Sequence, residues 1–155
     1  MPVASIIVPT FQRPEGLSVV LGKLGQQNGP GLEIIVVDDS PSDEAHRITV
    51  DTVAGRAQVV RSHGRGPGAA RNRGAMLATA PYLLLTDDDC EPAVDWADTM
   101  TARLKTASDP LMAVGGRTVA AGNDLYSRYY DLHRILDPLP HDPAHPERIP
   151  YMVTA

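Results

Sequence analysis

The chain of 155 residues contains little cysteine and few of the largest aromatic residues, with one Cys, one Trp and one Phe. Because a disulfide needs two cysteines, the lone Cys90 excludes an internal one. Scarce cysteine also fits a reducing compartment, so we expect a cytoplasmic protein. Since Phe and Trp are scarce, the core must be built from Val, Ile, Leu and Ala.

Long apolar runs and an excess of positive charge are also lacking. No run approaches the ~20 residues that span a bilayer, and no charged-then-apolar leader opens the chain, so membrane association is not indicated. The net charge of −5 gives no general attraction to nucleic acid, so an anionic ligand needs local arginines or a metal ion. The chain is 43% hydrophobic and 21% charged, as expected for one globular domain.

Short apolar runs alternate with segments of helical periodicity. This alternation predicts the α/β class, with a right-handed, mainly parallel sheet and helices on both faces. The predicted strands are Ala4–Val8, Leu32–Val37, Ala57–Arg61, the run from Tyr82 to Leu85, and Leu111–Thr118. The predicted helices run from Pro14 to before Asn28, from Ser42 to Val53, from Ala69 to Ala78, from Pro92 past Leu104, and from Asp124 to Leu136.

The C-terminal segment has a different composition. The stretch Asp137–Pro150 is rich in proline and is predicted to be a loop, which opposes a helical metal pair at His141 and His145. Tyr151–Ala155 resembles an apolar strand that stops abruptly, so we expect the C-terminal part to be truncated. Pairing of that strand with a second copy, which would give a homo-oligomer, stays an alternative.

Three consecutive carboxylates, Asp87, Asp88 and Asp89, follow the apolar run that ends at Leu85 and Thr86. In open α/β sheets, ligands bind outside the carboxyl ends of the strands. Two like charges about 5 Å apart repel by roughly 3 kcal/mol at an effective dielectric of about 20, so such a cluster favours a cation. Mg²⁺ and Mn²⁺ take oxygen ligands, and Mg²⁺ commonly combines one or two carboxylates with phosphate. The alternative is a solvated turn, because Asp favours turns and helix starts.

A second strand also ends in acid, at Asp38 and Asp39. A carboxylate there can accept hydrogen bonds from a ribose or a base N–H group. The alternative is capping of the following helix around Ser40 and Ser42. Two acid-tipped strands in one small sheet suggest a shared ligand.

The loop Ser62–Gly68, between the two acid clusters, is rich in glycine and arginine. It fits neither the dinucleotide-binding fingerprint nor a P-loop, so it is a weak phosphate signal. Arg71 could contact an anionic ligand through its planar fork, and a surface arginine is the alternative. Cys90 lies beside the acids, which predicts a raised thiol pKa and argues against a nucleophile.

Four segments in this order resemble the family 2 glycosyltransferases, which have the GT-A (Rossmann-like) fold. They are Ser5–Arg13, Glu33–Ser40, Gly68–Gly74 and Leu84–Asp89. The resemblance implies an inverting transfer of a sugar from a nucleoside diphosphate sugar to an unknown acceptor, with Mg²⁺ or Mn²⁺ as cofactor.

The resemblance also implies roles for the first two segments. Pro9, Thr10 and Arg13 would lie beside the nucleotide. At the second strand end, Asp38 and Asp39 would belong to the nucleotide site. Asp39 would hold the base, commonly through a uracil-type N–H group, which favours a UDP-sugar.

For the later segments, the resemblance places Arg71 near the base or phosphate and Asp87 toward the ribose. Asp89 would bind the metal, and Asp88 can substitute in some alignments. No residue matches the family's catalytic base, which we expect beyond Ala155.

We therefore predict a nucleotide-sugar-binding core over residues 1–121 and an incomplete acceptor-side region over 122–155. A nucleotide-binding module without transferase activity is an alternative. A sugar nucleotidyltransferase is a weaker one, because it would require a Gly-rich basic signature where Pro9–Arg13 stands.

Overall fold

The computed structural model describes residues 1–28, 31–106 and 113–133. The chain divides into two units, Met1–Met112 and Ala113–Ala155. The functional boundary predicted after residue 121 stays a prediction. The proline-rich loop, the histidines within it and the final strand predicted at Tyr151–Ala155 all lie outside the described residues.

The described part of the first unit is an α/β structure built on a parallel sheet with strand order β3-β2-β1-β4. Its strands are β1 Ala4–Thr10, β2 Leu32–Asp38, β3 Gln58–Arg61 and β4 Tyr82–Leu85. Its helices are α1 Pro14–Leu24, α2 Asp43–Val53, α3 Pro67–Leu77 and α4 Trp96–Thr106. The predicted fold class and the first four predicted strands are confirmed.

Helices cover both faces of this sheet, because successive strand residues point to opposite sides. On one face, Ile6 and Val8 of β1 pack in a core cluster with Leu17 of α1, Val53 of α2 and Ala97 of α4. Trp96 is partly buried against the same cluster.

On the other face, Ile7, Ile35 and Val37 pack with Ala70 of α3. A Cβ atom added to Gly74 would lie 2.5 Å from Cγ2 of Ile7, so the missing side chain lets α3 lie close to β1. This close packing fixes α3, and the functional side chains on it, against the middle of the sheet.

The first strand continues through Pro9 to Thr10, although its predicted end was Val8. Ile7 accepts a hydrogen bond from Thr86 on the β4 side, and Thr10 accepts one from Asp39 on the β2 side. Backbone groups alternate sides along a strand, so Pro9 faces β4, where pairing with β1 ends at Ile7 and Leu85. The N–H group that proline lacks is therefore not required.

The continuous apolar sequence of the fourth strand is typical of a strand buried on both faces, but one of its faces is largely exposed in the structure. Within the described residues β4 pairs only with β1, and Leu83 and Leu85 are 44% and 41% exposed. The reason is that α3 packs on β1 and β2, and the β4 residues that join the opposite core are Leu84 and the partly buried Tyr82.

Two further predictions were wrong, one about where a helix begins and one about a fifth strand. The fourth helix begins at Trp96 rather than Pro92, because Gln27 and Asn28 donate to the carbonyl groups of Ala93 and Val94 and hold the segment before the helix in a non-helical conformation that ends in a turn. The fifth strand predicted at Leu111–Thr118 is absent from residues 113–118, the part of it that the structure describes. The Gly115-Gly116 pair opposes a strand there.

In the second unit, the described segment 113–133 contains one helix, α5 Leu125–Leu132. Asp124 caps it by accepting hydrogen bonds from the N–H groups of Tyr126 and Ser127. His133 packs against the ring of Tyr129 with ring centroids 4.3 Å apart. The residues 134–136 of the predicted helix lie outside the described part. No helix among the described residues is both long and apolar enough to cross a membrane.

Candidate functional site

The ends of β1, β2 and β3 lie side by side at the carboxyl edge of the sheet. Thr10 pairs with Asp38, which pairs in turn with Arg61. The hydrogen-bond ladder continues one step further, because Asp39 N donates to Thr10 O and Ser62 N donates to Asp38 O, both at 2.9 Å. Asp39 is therefore fixed between the loops that leave β1 and β3.

Asp38 points into the protein and has a relative exposure of 0%. Its Oδ1 accepts a hydrogen bond from the N–H group of Ser40 at 2.9 Å, and its Oδ2 lies 2.7 Å from Nδ1 of His46. Both carboxylate oxygens are engaged inside the fold, so the side chain holds the loop between β2 and α2 and presents no surface to a ligand.

Asp39 is bound by the Gly-rich loop that follows β3. Its Oδ1 accepts from Ser62 Oγ at 2.6 Å and Arg65 N at 2.9 Å, and its Oδ2 accepts from Gly66 N at 2.7 Å. The positive φ angles of Gly64 (71°) and Gly66 (88°) turn the backbone so that these N–H groups converge.

Burial raises the pKa of Asp39, which is 6% exposed, but hydrogen bonds from Ser62, Gly66, Arg65 and Gly64 to the ionised form outweigh that effect. The pKa is therefore lowered. Because Gly66 is also the N-cap of α3, the carboxylate lies where the helix dipole favours negative charge. The Gly-rich loop thus binds a carboxylate of its own chain.

Arg71, one turn into α3, reaches the other acid cluster. Its Nη2 lies 2.5 Å from Oδ1 of Asp87, and the two side chains are 18% and 20% exposed. Its Nε is buried without a hydrogen-bond partner among the described residues. The guanidinium is thus held at the acid cluster through its Asp87 ion pair.

Desolvation by burial raises the pKa of Asp87. The hydrogen bond and charge of Arg71 lower it, and the charges of Asp89 and Asp88 raise it again, so the net direction is upward. Burial first, and the neighbouring charges of Asp89 and Asp88 after it, therefore disfavour the ionised form of Asp87, and a nearby cation would favour it.

The middle carboxylate, Asp88, is nearly buried. Thr10 Oγ1 donates to its Oδ2 at 2.7 Å, and Nη1 of Arg13 lies 3.3 Å from its Oδ1. The Asp88 side chain is 8% exposed, whereas that of Asp89 is 53% exposed and meets the same Arg13 nitrogen at 3.0 Å. Asp89 is therefore the most accessible of the three carboxylates.

Among the described residues no three His, Cys, Asp or Glu side chains form a group that could hold a metal ion alone. A Mg²⁺ ion that also binds phosphate needs only one or two carboxylates. Asp89 fits that requirement, because one of its oxygens meets Arg13 at the surface and the other only the Cys90 thiol, with Sγ at 3.9 Å. Asp88 fits it less well, since both its oxygens are already bound.

The thiol of Cys90 has a raised pKa, mainly through burial and also through the charges of Asp89 and Asp87. The predicted direction is confirmed, although burial rather than the acids is the main cause. A protonated thiol is a poor nucleophile.

The structure thus joins Thr10, Arg13, Arg71 and the three carboxylates 87–89 by direct contacts, with Asp39 bonded to Thr10 through the backbone. Pro9 is buried within β1 and, like Asp38, lies inside the fold. Sequence reasoning missed His46 and Ser62 as partners of these acids. Ser62 follows β3 directly, so the strand-end argument already applied to the acids could have found it.

Comparison with known proteins identifies relatives for this arrangement. The model of glycosyl transferase family 2 matches residues 5–150. The pre-mycofactocin glycosyltransferase of Mycobacterium tuberculosis is 26% identical over 136 residues, covering 86% of this chain and 27% of that protein. The glucosyl-dolichyl phosphate glucuronosyltransferase of Haloferax volcanii is 30% identical over 121 residues, covering 74% of this chain and 38% of that protein.

Among solved structures, the mannosyltransferase PcManGT from Pyrobaculum calidifontis, in complex with GDP-Man and Mn²⁺, superimposes with a TM-score of 0.60. The two are 26% identical, and the match covers 88% of this chain and 39% of that chain. The chain therefore spans well under half the length of these relatives.

Proposed function

Because the chain belongs to glycosyl transferase family 2, we propose that residues 1–121 bind the donor of a glycosyltransferase. The enzyme would transfer a sugar, with inversion, from a nucleoside diphosphate sugar to an acceptor. The observation that carries the proposal is that Thr10, Arg13 and Arg71 converge on the acids that follow β4. Residues 122–155 would begin the acceptor side.

The base is assigned to Asp39. Hydrogen bonds from Ser62, Arg65, Gly66 and Gly64 favour its ionised form, which is the form that accepts a hydrogen bond from a base N–H group. A uracil N–H suits this position and makes UDP the expected nucleotide. The GDP-mannose complex of PcManGT makes guanine the main competitor.

The phosphate and ribose are assigned to the opposite side of the site. Arg71, which meets Asp87 in the cluster, would contact the base or phosphate through its planar guanidinium, while Asp87 would face the ribose. Arg13 would lie beside the nucleotide and shield the acids from one another.

Asp89 would hold Mg²⁺ or Mn²⁺. When bound there, the ion would supply the positive charge that offsets the negative charge developing on a diphosphate leaving group. The Mn²⁺ in the PcManGT complex supports this assignment. The inverting reaction also needs a carboxylate that takes the acceptor proton, and we assign that role to no residue of this chain.

The test is calorimetric titration of the 155-residue chain with UDP, GDP and dTDP, each with and without Mn²⁺, beside Arg71→Ala and Arg73→Ala. Both arginines lie on α3, but Arg73 is exposed and serves as the matched control. We expect one nucleotide to bind with Mn²⁺, Arg71→Ala to weaken it by at least about tenfold, and Arg73→Ala to bind as the wild type does.

A folded wild-type chain that binds none of the three nucleotides would contradict the donor site. Equal losses in the two variants would contradict the role of Arg71 and indicate a general charge effect.

A further inference from the structure

Gly16, in the first turn of α1, lies against the main chain of the acid cluster. A Cβ atom placed on Gly16 would lie 2.5 Å from the carbonyl oxygen of Asp88, and real Cβ contacts essentially never fall under 3.0 Å. The helix can therefore approach Asp88 this closely only because residue 16 has no side chain.

This contact differs from the close packing at Gly74. The Cβ atom at Gly74 would meet methyl and methylene groups of Ile7 and Val37, which belong to side chains in the core. At Gly16 the obstacle is a backbone carbonyl, which cannot rotate away without moving the chain on either side of it. A side chain at position 16 would therefore displace residues 87–89 as a segment.

The remaining contacts of Asp88 come from the same junction between β1 and α1. Thr10 donates to Oδ2 and Arg13 meets Oδ1, so the side chain and the main chain of Asp88 are both held by residues 10–16. With Asp88 fixed, Asp87 is directed to Arg71 on α3, and Asp89 is directed outward, where its side chain is 53% exposed.

We propose that Gly16 is a positioning residue for the acid cluster. Because residue 16 lacks a side chain, the first turn of α1 packs directly on the main chain of Asp88. This packing would orient the Asp89 carboxylate toward a divalent cation bound with the nucleotide. The inference rests on the proposed donor site and adds a residue that touches neither nucleotide nor metal.

The experiment compares Gly16→Ala with Gly22→Ala by nucleotide titration with and without Mn²⁺. Gly22 lies on the same helix, is exposed, and a Cβ atom there would meet nothing within 4 Å, so it is the matched control. The readout is the ratio of nucleotide affinities with and without Mn²⁺, and thermal unfolding is measured alongside it.

We expect Gly22→Ala to keep the wild-type ratio. Gly16→Ala should keep the Mn²⁺-independent affinity but lose the enhancement by roughly tenfold to a hundredfold, since a misplacement of about 1 Å can cost up to about a hundredfold. Thr10→Val, which removes only the hydroxyl bonded to Asp88, should shift the ratio in the same direction by less, and it provides the test if Gly16→Ala does not fold.

Three results would overturn the inference. In the first, a folded Gly16→Ala chain keeps the wild-type ratio. In the second, it loses affinity equally with and without Mn²⁺, as a purely structural role would predict. In the third, Gly16→Ala does not fold and Thr10→Val keeps the ratio. A wild-type chain that binds no nucleotide would instead overturn the proposed function, and this inference with it, so the wild-type and variant measurements separate the two failures.

Discussion

The acids that follow β2 and those that follow β4 lie on one edge of one sheet, yet their partners differ. Asp38 and Asp39 are bound by backbone N–H groups, a histidine and a serine hydroxyl. Asp87 and Asp89 are instead bound by arginines, and the Asp89 side chain is about half exposed.

This difference distinguishes carboxylates that are held by the fold from carboxylates that are held by movable side chains. Backbone N–H groups are fixed by the fold, so a carboxylate that they bind cannot be released without local unfolding. An arginine side chain can rotate from a carboxylate to a phosphate and leave the carboxylate to a metal ion. Position at a strand end does not distinguish the two kinds of carboxylate, because both clusters have it.

The largest expected effect on stability separates the two acids after β2. Asp39→Asn should lower the free energy of unfolding by about 2 to 4 kcal/mol, because an amide group cannot accept all the hydrogen bonds from Ser62, Arg65 and Gly66. Asp38→Asn should cost less than about 1 kcal/mol, since one amide can accept from Ser40 and donate to His46.

Urea denaturation of the two variants at neutral pH measures both costs. If the order were reversed, the hydrogen bonds of the Gly-rich loop to Asp39 would not be what stabilises this edge of the sheet.

A smaller effect concerns pH. The pKa of Asp39 is lower in the folded chain than the ~3.9 of an unfolded Asp, so the stability that its ionised form contributes is complete above that value. It is lost as the pH falls through the lowered pKa of the folded state. The gap in unfolding free energy between wild type and Asp39→Asn should therefore narrow on acidification from pH ~5 to pH ~2.5.

Urea denaturation at several pH values over that range measures the gap, with Asp39→Asn itself as the reference that lacks the titrating carboxyl. A gap that widens with acid would show that the native state does not favour the ionised carboxylate.

The smallest expected effect belongs to the acids after β4. Arg13→Ala should change the free energy of unfolding by no more than about 1 kcal/mol, because the ion pair with Asp89 is exposed and screened by water. Thermal unfolding of this variant beside the wild type checks the value. If Arg13→Ala lowered the free energy of unfolding as much as Asp39→Asn does, the two acid clusters would not differ in their contribution to stability.

Much of the fold could be predicted from periodicity and turn residues, because strands such as β2 and helices such as α2 with its Ser42 cap carry local signals. The exposure of Leu83 and Leu85 on β4 could not be predicted, since the apolar sequence of the strand is the same whether or not a helix covers that face. The start of α4 was misplaced because distant groups from Gln27 and Asn28 hold the segment before it.

In the candidate site, too, contacts between residues distant in sequence could not be predicted. The strand-end rule placed the acids on one edge, but the partners of the Asp38 and Asp39 side chains other than the neighbouring Ser40 come from 8 to 27 residues away in sequence. Gly16 and Asp88 are in contact although they are far apart in sequence. The only local sign of this contact in the sequence is a glycine within a helix. Such contacts depend on packing, which a pattern read along the chain does not contain.

The most direct test of the account is electron paramagnetic resonance of Mn²⁺ titrated into the chain in the presence of UDP or GDP, with Asp89→Asn and Asp38→Asn compared. The account predicts that Asp89→Asn weakens Mn²⁺ binding by at least about tenfold, while Asp38→Asn binds as the wild type does. Mn²⁺ binding that survives in Asp89→Asn but is lost in Asp38→Asn would contradict the division between acids that build the site and acids that bind the cation.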